Sequence, residues 1–129
     1  MRIILLCALL LLLIVACSPA NTAANAESLP PGNANNGATL FTESIGGAPA
    51  CSTCHTLDGT KLVGPSLQGY AEQAAARVEG DSAESYTYTS IIQPAAHIVE
   101  GYPNAMYAQY EQRLTSQQLS DLIAYLLTL

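Results

Sequence analysis

The chain has 129 residues, with four Lys and Arg against ten Asp and Glu and a formal net charge of −6. That acidic balance excludes nucleic acid as a partner, because phosphate binding needs a basic face. The length leaves room for one small domain, whose core must manage with one Phe and no Trp.

In chain order, residues 1–16 come first. Arg2 precedes the unbroken apolar run from Ile3 to Val15-Ala16, the pattern of a secretory signal. The run is about 14 residues, short of the roughly 20 that cross a bilayer as a helix. Ile14-Val15-Ala16-Cys17 resembles the bacterial lipobox, whose Cys becomes the lipidated first residue of the mature protein. An acylated Cys17 is expected to hold the protein on a membrane surface, facing the periplasm or cell exterior, without spanning it. The competing readings are an ordinary signal peptide or an uncleaved anchor. Loss of residues 1–16 removes Arg2 and Cys7. Lys61, Arg77 and Arg113 are then the only fixed cations, and Cys51 and Cys54 the only thiols left beside Cys17. A multi-disulfide framework is thereby excluded. So acidic a surface is expected to meet a partner's basic patch at a salt-sensitive rate.

Residues 17–32 follow as a linker. Ser18 to Gly32 is rich in Ala, Asn and Pro and lacks an apolar period. It reads as a flexible tether with a reach of roughly 20 Å by random-coil scaling.

The folded domain is expected over residues 33–129. Asn33 to Ser44 reads as a short helix with Asn caps, ended by Gly46-Gly47. Cys51-Ser52-Thr53-Cys54-His55 comes next, and then a loop punctuated by Asp58-Gly59, Gly64-Pro65 and Gly69. A modest helix is expected around Tyr70 to Val78, and a stronger one from Ala83 to Gln93. The latter has Ser82 as cap, Tyr88, Ile91 and Ile92 at helical spacing, and Pro94 as its stop. In the last helix Thr115 and Gln118 match a capping box. Leu119, Leu122, Ile123 and Leu126 then form one apolar face. No segment alternates as a strand would, so the domain reads as all-α: three to five short helices joined by long loops. Such a core is too thin for its length unless a large apolar group completes it.

Cysteines at i and i+3 lie on one face of a helical turn, and the residue after them can turn an imidazole toward the same side. C-x-x-C-H is the attachment signature of c-type haem: Cys51 and Cys54 would form the thioethers and His55 would bind the iron. One covalent haem c would also supply the missing core. Three readings compete with haem attachment. A thioredoxin-like dithiol needs a βαβ setting. A structural zinc site needs four ligands, with His97 or a carboxylate as the fourth. A plain Cys51–Cys54 disulfide leaves the thin core unexplained. For the sixth iron position, Met106 is the only methionine left after residues 1–16 and sits in a polar, turn-rich loop. His97 is the rival ligand. Met/His ligation raises the potential and leaves no open position, which points to an electron carrier rather than an enzyme. The alternative is a haem enzyme or small-gas sensor with an open or labile sixth position.

From Asn33 to Leu129 the chain resembles a class I cytochrome c. Gly37 and Phe41, with Leu122 and Tyr125, match that family's contact between terminal helices. Gly64-Pro65 matches the loop whose proline carbonyl accepts a hydrogen bond from the proximal His, so Pro65 is expected to orient His55. Ile92-Gln93-Pro94, Ile98 to Tyr102 and Met106 are similar to the cytochrome c domains of caa3-type oxidase subunit II. They are similar too to monohaem lipoprotein subunits of bacterial respiratory complexes such as alternative complex III. The resemblance implies a single-electron carrier in a respiratory or photosynthetic chain. It would be a subunit or close partner of a membrane complex, with a quinol-oxidising complex or a terminal oxidase as redox partner. The family often has Pro directly after the ligand Met; here it is Tyr107, which bears on how tightly the iron–sulfur bond is held.

Overall fold

The computed structural model describes residues 25–129. The expected signal (1–16), Cys17 and the first part of the tether lie outside the described residues. Four α-helices carry the architecture: α1 (Ala34–Thr42), α2 (Tyr70–Arg77), α3 (Ala83–Ile92) and α4 (Ser116–Leu126). Three single 3₁₀ turns, at Ala26–Ser28, Cys51–Thr53 and Tyr110–Gln112, complete the described elements. Among the described residues there is no strand beyond one isolated bridge between Ile45 and Ala48. The fold is all-α.

Three of the four helices begin where a side chain satisfies their free amides. Asn33 Oδ1 accepts from the N–H groups of Asn35 and Asn36 at 2.9 and 3.2 Å. Ser82 Oγ accepts from Ser85 N–H at 3.0 Å. Both arms of the Thr115–Gln118 capping box are formed, at 2.9 and 3.2 Å. Only α2 lacks a side-chain cap, in keeping with its weaker sequence signal.

The terminal helices pack on one another in the most extensive helix–helix contact. Gly37 permits it, since a Cβ there would run into the Asp121 carbonyl and come within 2.6 Å of Tyr125 Cβ. Phe41 and Tyr125 meet with ring centroids 5.6 Å apart. The α4 stripe of Leu119, Leu122, Ile123 and Leu126 is buried throughout, against Phe41 and the α3 residues Tyr88, Ile91 and Ile92. Among the described residues no helix is long and apolar enough to cross a membrane.

The expectation of a loose tether as far as Gly32 is corrected for residues 25–32. Ala26 is buried in the core and Leu29 packs against it. Ser120 Oγ donates to the Pro30 carbonyl, and Gln117 Nε2 donates to the Pro31 carbonyl at 3.0 Å. Asp121 Oδ1 then takes the Asn33 N–H at 2.7 Å. Pro30 and Pro31 have no N–H to donate, but their carbonyls remain free to accept from a neighbouring helix. The folded body therefore includes residues 25–32, which composition assigned to the tether.

Candidate functional site

Cys51 to His55 form a tight turn held by main-chain bonds. Cys54 N–H and His55 N–H both donate to the Cys51 carbonyl, at 3.1 and 3.0 Å. The turn is fixed from behind by Tyr110, whose hydroxyl donates to the Pro49 carbonyl at 2.8 Å. On its far side, Gly64 N–H donates to the Cys54 carbonyl and Leu67 N–H to that of Thr56. The loop of residues 56–67 is thereby folded back against the motif.

That loop orients the imidazole. His55 Nδ1 lies 2.8 Å from the Pro65 carbonyl oxygen. A carbonyl can only accept, so Nδ1 carries the proton and Nε2 keeps a free lone pair, the form in which histidine binds metal. The ring rests directly on Gly64, where an ideal Cβ would sit 2.8 Å from Nδ1 and 3.0 Å from Nε2.

The motif opens onto a cleft whose space, counted together with the solvent at its open mouth, is about 1170 Å³. Cys51, Cys54, His55, Pro65 and Met106 all border it. Its walls are apolar, with Phe41, Leu67, Ile91, Leu122 and Leu126 among them, while Gln73, Arg77, Ser90 and His97 give it polar groups. Ser90 Oγ is buried there without a hydrogen-bond partner. The expected group fits this space. A haem would take the volume and apolar contact, its carboxylates would find a cation in Arg77, and the orphaned hydroxyl would border a polar ligand or trapped water.

The two cysteines are free thiols in this structure. Burial pushes Cys51 up to about 11, and nearby Cys54 adds to the rise. A thiol held so far from ionising is the reverse of the low-pKa nucleophile that a thioredoxin-like centre requires. Among the described residues no group of three or more His, Cys, Asp and Glu could hold a metal ion by itself, which gives the zinc reading no support.

Met106 borders both the cleft and a smaller dish beside Cys51, Cys54 and His55, whereas His97 borders the cleft alone. His97 lies against the Tyr86 ring, 5.7 Å between centroids. Tyr107, which stands where the family often has Pro, packs edge-on against Tyr110 at 5.1 Å. That aromatic pair braces the Met106 segment against the same tyrosine that pins the cysteine turn.

Sequence reading named His97 but did not place Gln73, Arg77 or Ser90 at the cleft. Arg77 was noted only as one of the few cations of the chain, with no place at the site. Ser90 is one helical turn beyond Tyr86, and that spacing was the available signal. Gly64 was noted only with its proline. A family model described as Cytochrome c matches residues 34–129. No curated protein is similar enough to this chain to be matched with it.

Proposed function

The chain belongs to the cytochrome c family, carries covalent haem c and serves electron transfer, and from that premise we infer a membrane-tethered, six-coordinate single-electron carrier. In this reading Cys51 and Cys54 are the thioether positions, His55 the proximal ligand and Met106 the distal one. The bound haem supplies a one-electron couple, and the protein sets its potential and insulates it. Pro65 holds the His55 tautomer, the apolar walls exclude water, and Arg77 offers charge to the haem carboxylates.

The observation that supports Met106 over His97 is its place on both the cleft and the dish, alongside His55 and the two cysteines. The apolar run before Cys17 supports lipid attachment and a position outside the cytoplasmic membrane. The segments Ile92-Gln93-Pro94 and Ile98 to Tyr102 support a place in, or beside, a respiratory complex that oxidises quinol or reduces oxygen.

Carbon monoxide added to the reduced protein at neutral pH tests the carrier reading. A closed sixth position gives little or slow binding; rapid stoichiometric binding would point to a haem enzyme or gas sensor instead. Met106→Ala is expected to lower the potential and open that position. If His97→Ala lowers the potential and Met106→Ala leaves it unchanged, the ligand is His97. Mass spectrometry of the mature N-terminus should find an acylated Cys17, and an unmodified N-terminus elsewhere would refute the anchor.

A further inference from the structure

Residues 25–33 precede the family match, which begins at residue 34, yet they are strapped to the body. Asn25 and Ser28 close a capping box, Ala26 is buried, and the turn Ala26–Ser28 packs on α3. Pro30 and Pro31 take bonds from Ser120 and Gln117, and the Asn33 N–H is held by Asp121. Gly32 lets this strap lie close: a Cβ there would run into the Ser120 carbonyl and come within 2.9 Å of Ala124 Cβ.

The strap crosses the back of the molecule. Gln117, Ser120 and Ala124 share one side of α4, and Ser120 stands about 160° round the helix from Leu122, which lines the cleft. None of residues 25–33 borders the cleft. On α1 the exposed Thr39 stands about 160° from Phe41, another cleft residue. That back carries little charge for so acidic a chain. Residues 28–42 contain no Asp, Glu, Lys or Arg, and the one charge on α4, Asp121, is buried among its donors. Glu27 and Glu43 stand at the two ends of the uncharged stretch, while seven of the ten acidic residues fall between Asp58 and Glu111.

The chain left over decides what the strap does. Cys17 to Asn25 is eight residue steps, which span at most about 28 Å when fully extended. A body of this size has a radius of gyration of about 13 Å, so a path half-way round it is about 50 Å. With the strap undone, the sixteen steps from Cys17 to Asn33 would reach about 55 Å. The short leash cannot carry an anchor round to the cleft side; the long one could.

We propose that the strap sets the orientation of the domain on the membrane. With Cys17 acylated, the strap and the outer sides of α1 and α4 rest on phospholipid headgroups, and the cleft opens away from the bilayer. The inference rests on the lipid-anchor reading above and names the surface that meets the lipid. An uncharged polar face approaches anionic headgroups without repulsion, whereas the acids of residues 58–111 are pushed from them.

The test uses the full-length, acylated, haem-loaded protein in vesicles of phosphatidylethanolamine and phosphatidylglycerol. A photo-cross-linking benzophenone amino acid takes the place of Thr39 on the back or of Ile98 at the cleft, which is 48% exposed, and lipid adducts are counted by mass spectrometry. Salt at about 0.5 M screens charge beyond a few ångströms and leaves the leash to decide. Adducts at Thr39 should then exceed those at Ile98 by about fivefold. A Gly/Ser insertion of about twelve residues between Ala24 and Asn25 adds about 40 Å of reach and should bring the ratio below about twofold. Ser120→Ala combined with Gln117→Ala frees both proline carbonyls and should lower the ratio in the same direction. Should that pair fail to fold, the insertion still decides.

Even labelling of the two positions in the parent, or a bias that survives the insertion, would overturn the proposal. A protein that does not float with the vesicles overturns the anchor reading and the proposal with it. One that floats but labels evenly overturns the orientation alone.

Discussion

Gly64→Ala links packing to redox chemistry through a single methyl group. Gly64 is absent from the glycines at positive φ, so alanine meets no backbone obstacle and the effect is steric. Its Cβ would fall closest to His55 Cε1 and lie 2.8 Å from Nδ1 and 3.0 Å from Nε2, so the ring must retreat by about 1 Å to reach ordinary contact. Neither partner can yield freely. Gly64 is tied to Cys54 by its amide, and the ring is held by Pro65. Overpacking of this kind costs about 1–3 kcal/mol, and the strained or lost Nδ1–H bond to Pro65 about 1 kcal/mol more. The sum, about 2–4 kcal/mol, corresponds to a melting point lower by roughly 10–25 °C in a domain of this size. A histidine without its carbonyl acceptor is also a poorer donor to iron, which disfavours the oxidised state and should raise the potential. Thermal melts of both redox states, with a spectroelectrochemical titration, measure the two effects. A variant that melts within about 2 °C of the parent at an unchanged potential would refute the claim that Gly64 positions His55.

Asp121 ties the N-terminal segment to α4. Burial works to raise its pKa, but the Asn33 N–H, Gln117 and Asn36 donors together outweigh that and hold the carboxyl below its ordinary value. A lowered folded pKa stabilises the protein above the unfolded value, about 3.9, and that contribution is lost as pH falls through the folded pKa. Acid melts of the parent should therefore steepen below about pH 4, and Asp121→Asn should flatten that limb while costing stability at pH 7. Tyr110→Phe removes the hydroxyl bonded to the Pro49 carbonyl and should cost about 1 kcal/mol in denaturant unfolding, with the haem still attached. Thr115→Ala breaks the capping box of α4 and should cost about 1 kcal/mol, recovered in part by Thr115→Ser.

Much of this was legible because it is local. The α4 cap and stripe, the Asn33 and Ser82 caps, and the Cys51–His55 turn all depend on residues within a few positions of one another. Pro65 could be assigned through family resemblance, and its carbonyl does meet His55. Residues 25–32 could not be read in that way. Their attachment runs through the carbonyls of Pro30 and Pro31 to side chains some 86 to 90 positions away, and carbonyls are the same in every sequence. Ser90 was missed for a related reason. A serine on a buried helix face looks like a neutral choice until the space in front of it is seen to be a cleft.

The contact of α1 with α4 has a consequence for assembly. Phe41 from α1 and Leu122 and Leu126 from α4 are part of the cleft wall, and they come from opposite ends of the domain. Closing so long a loop carries an entropic cost that the contact itself must repay. Until it does, the wall is incomplete, and the Cys51–Cys54 turn, whose own bonds are local, remains reachable from that side. Wherever α4 has not closed, the thiols are open to covalent chemistry, and its closure completes the wall around the product.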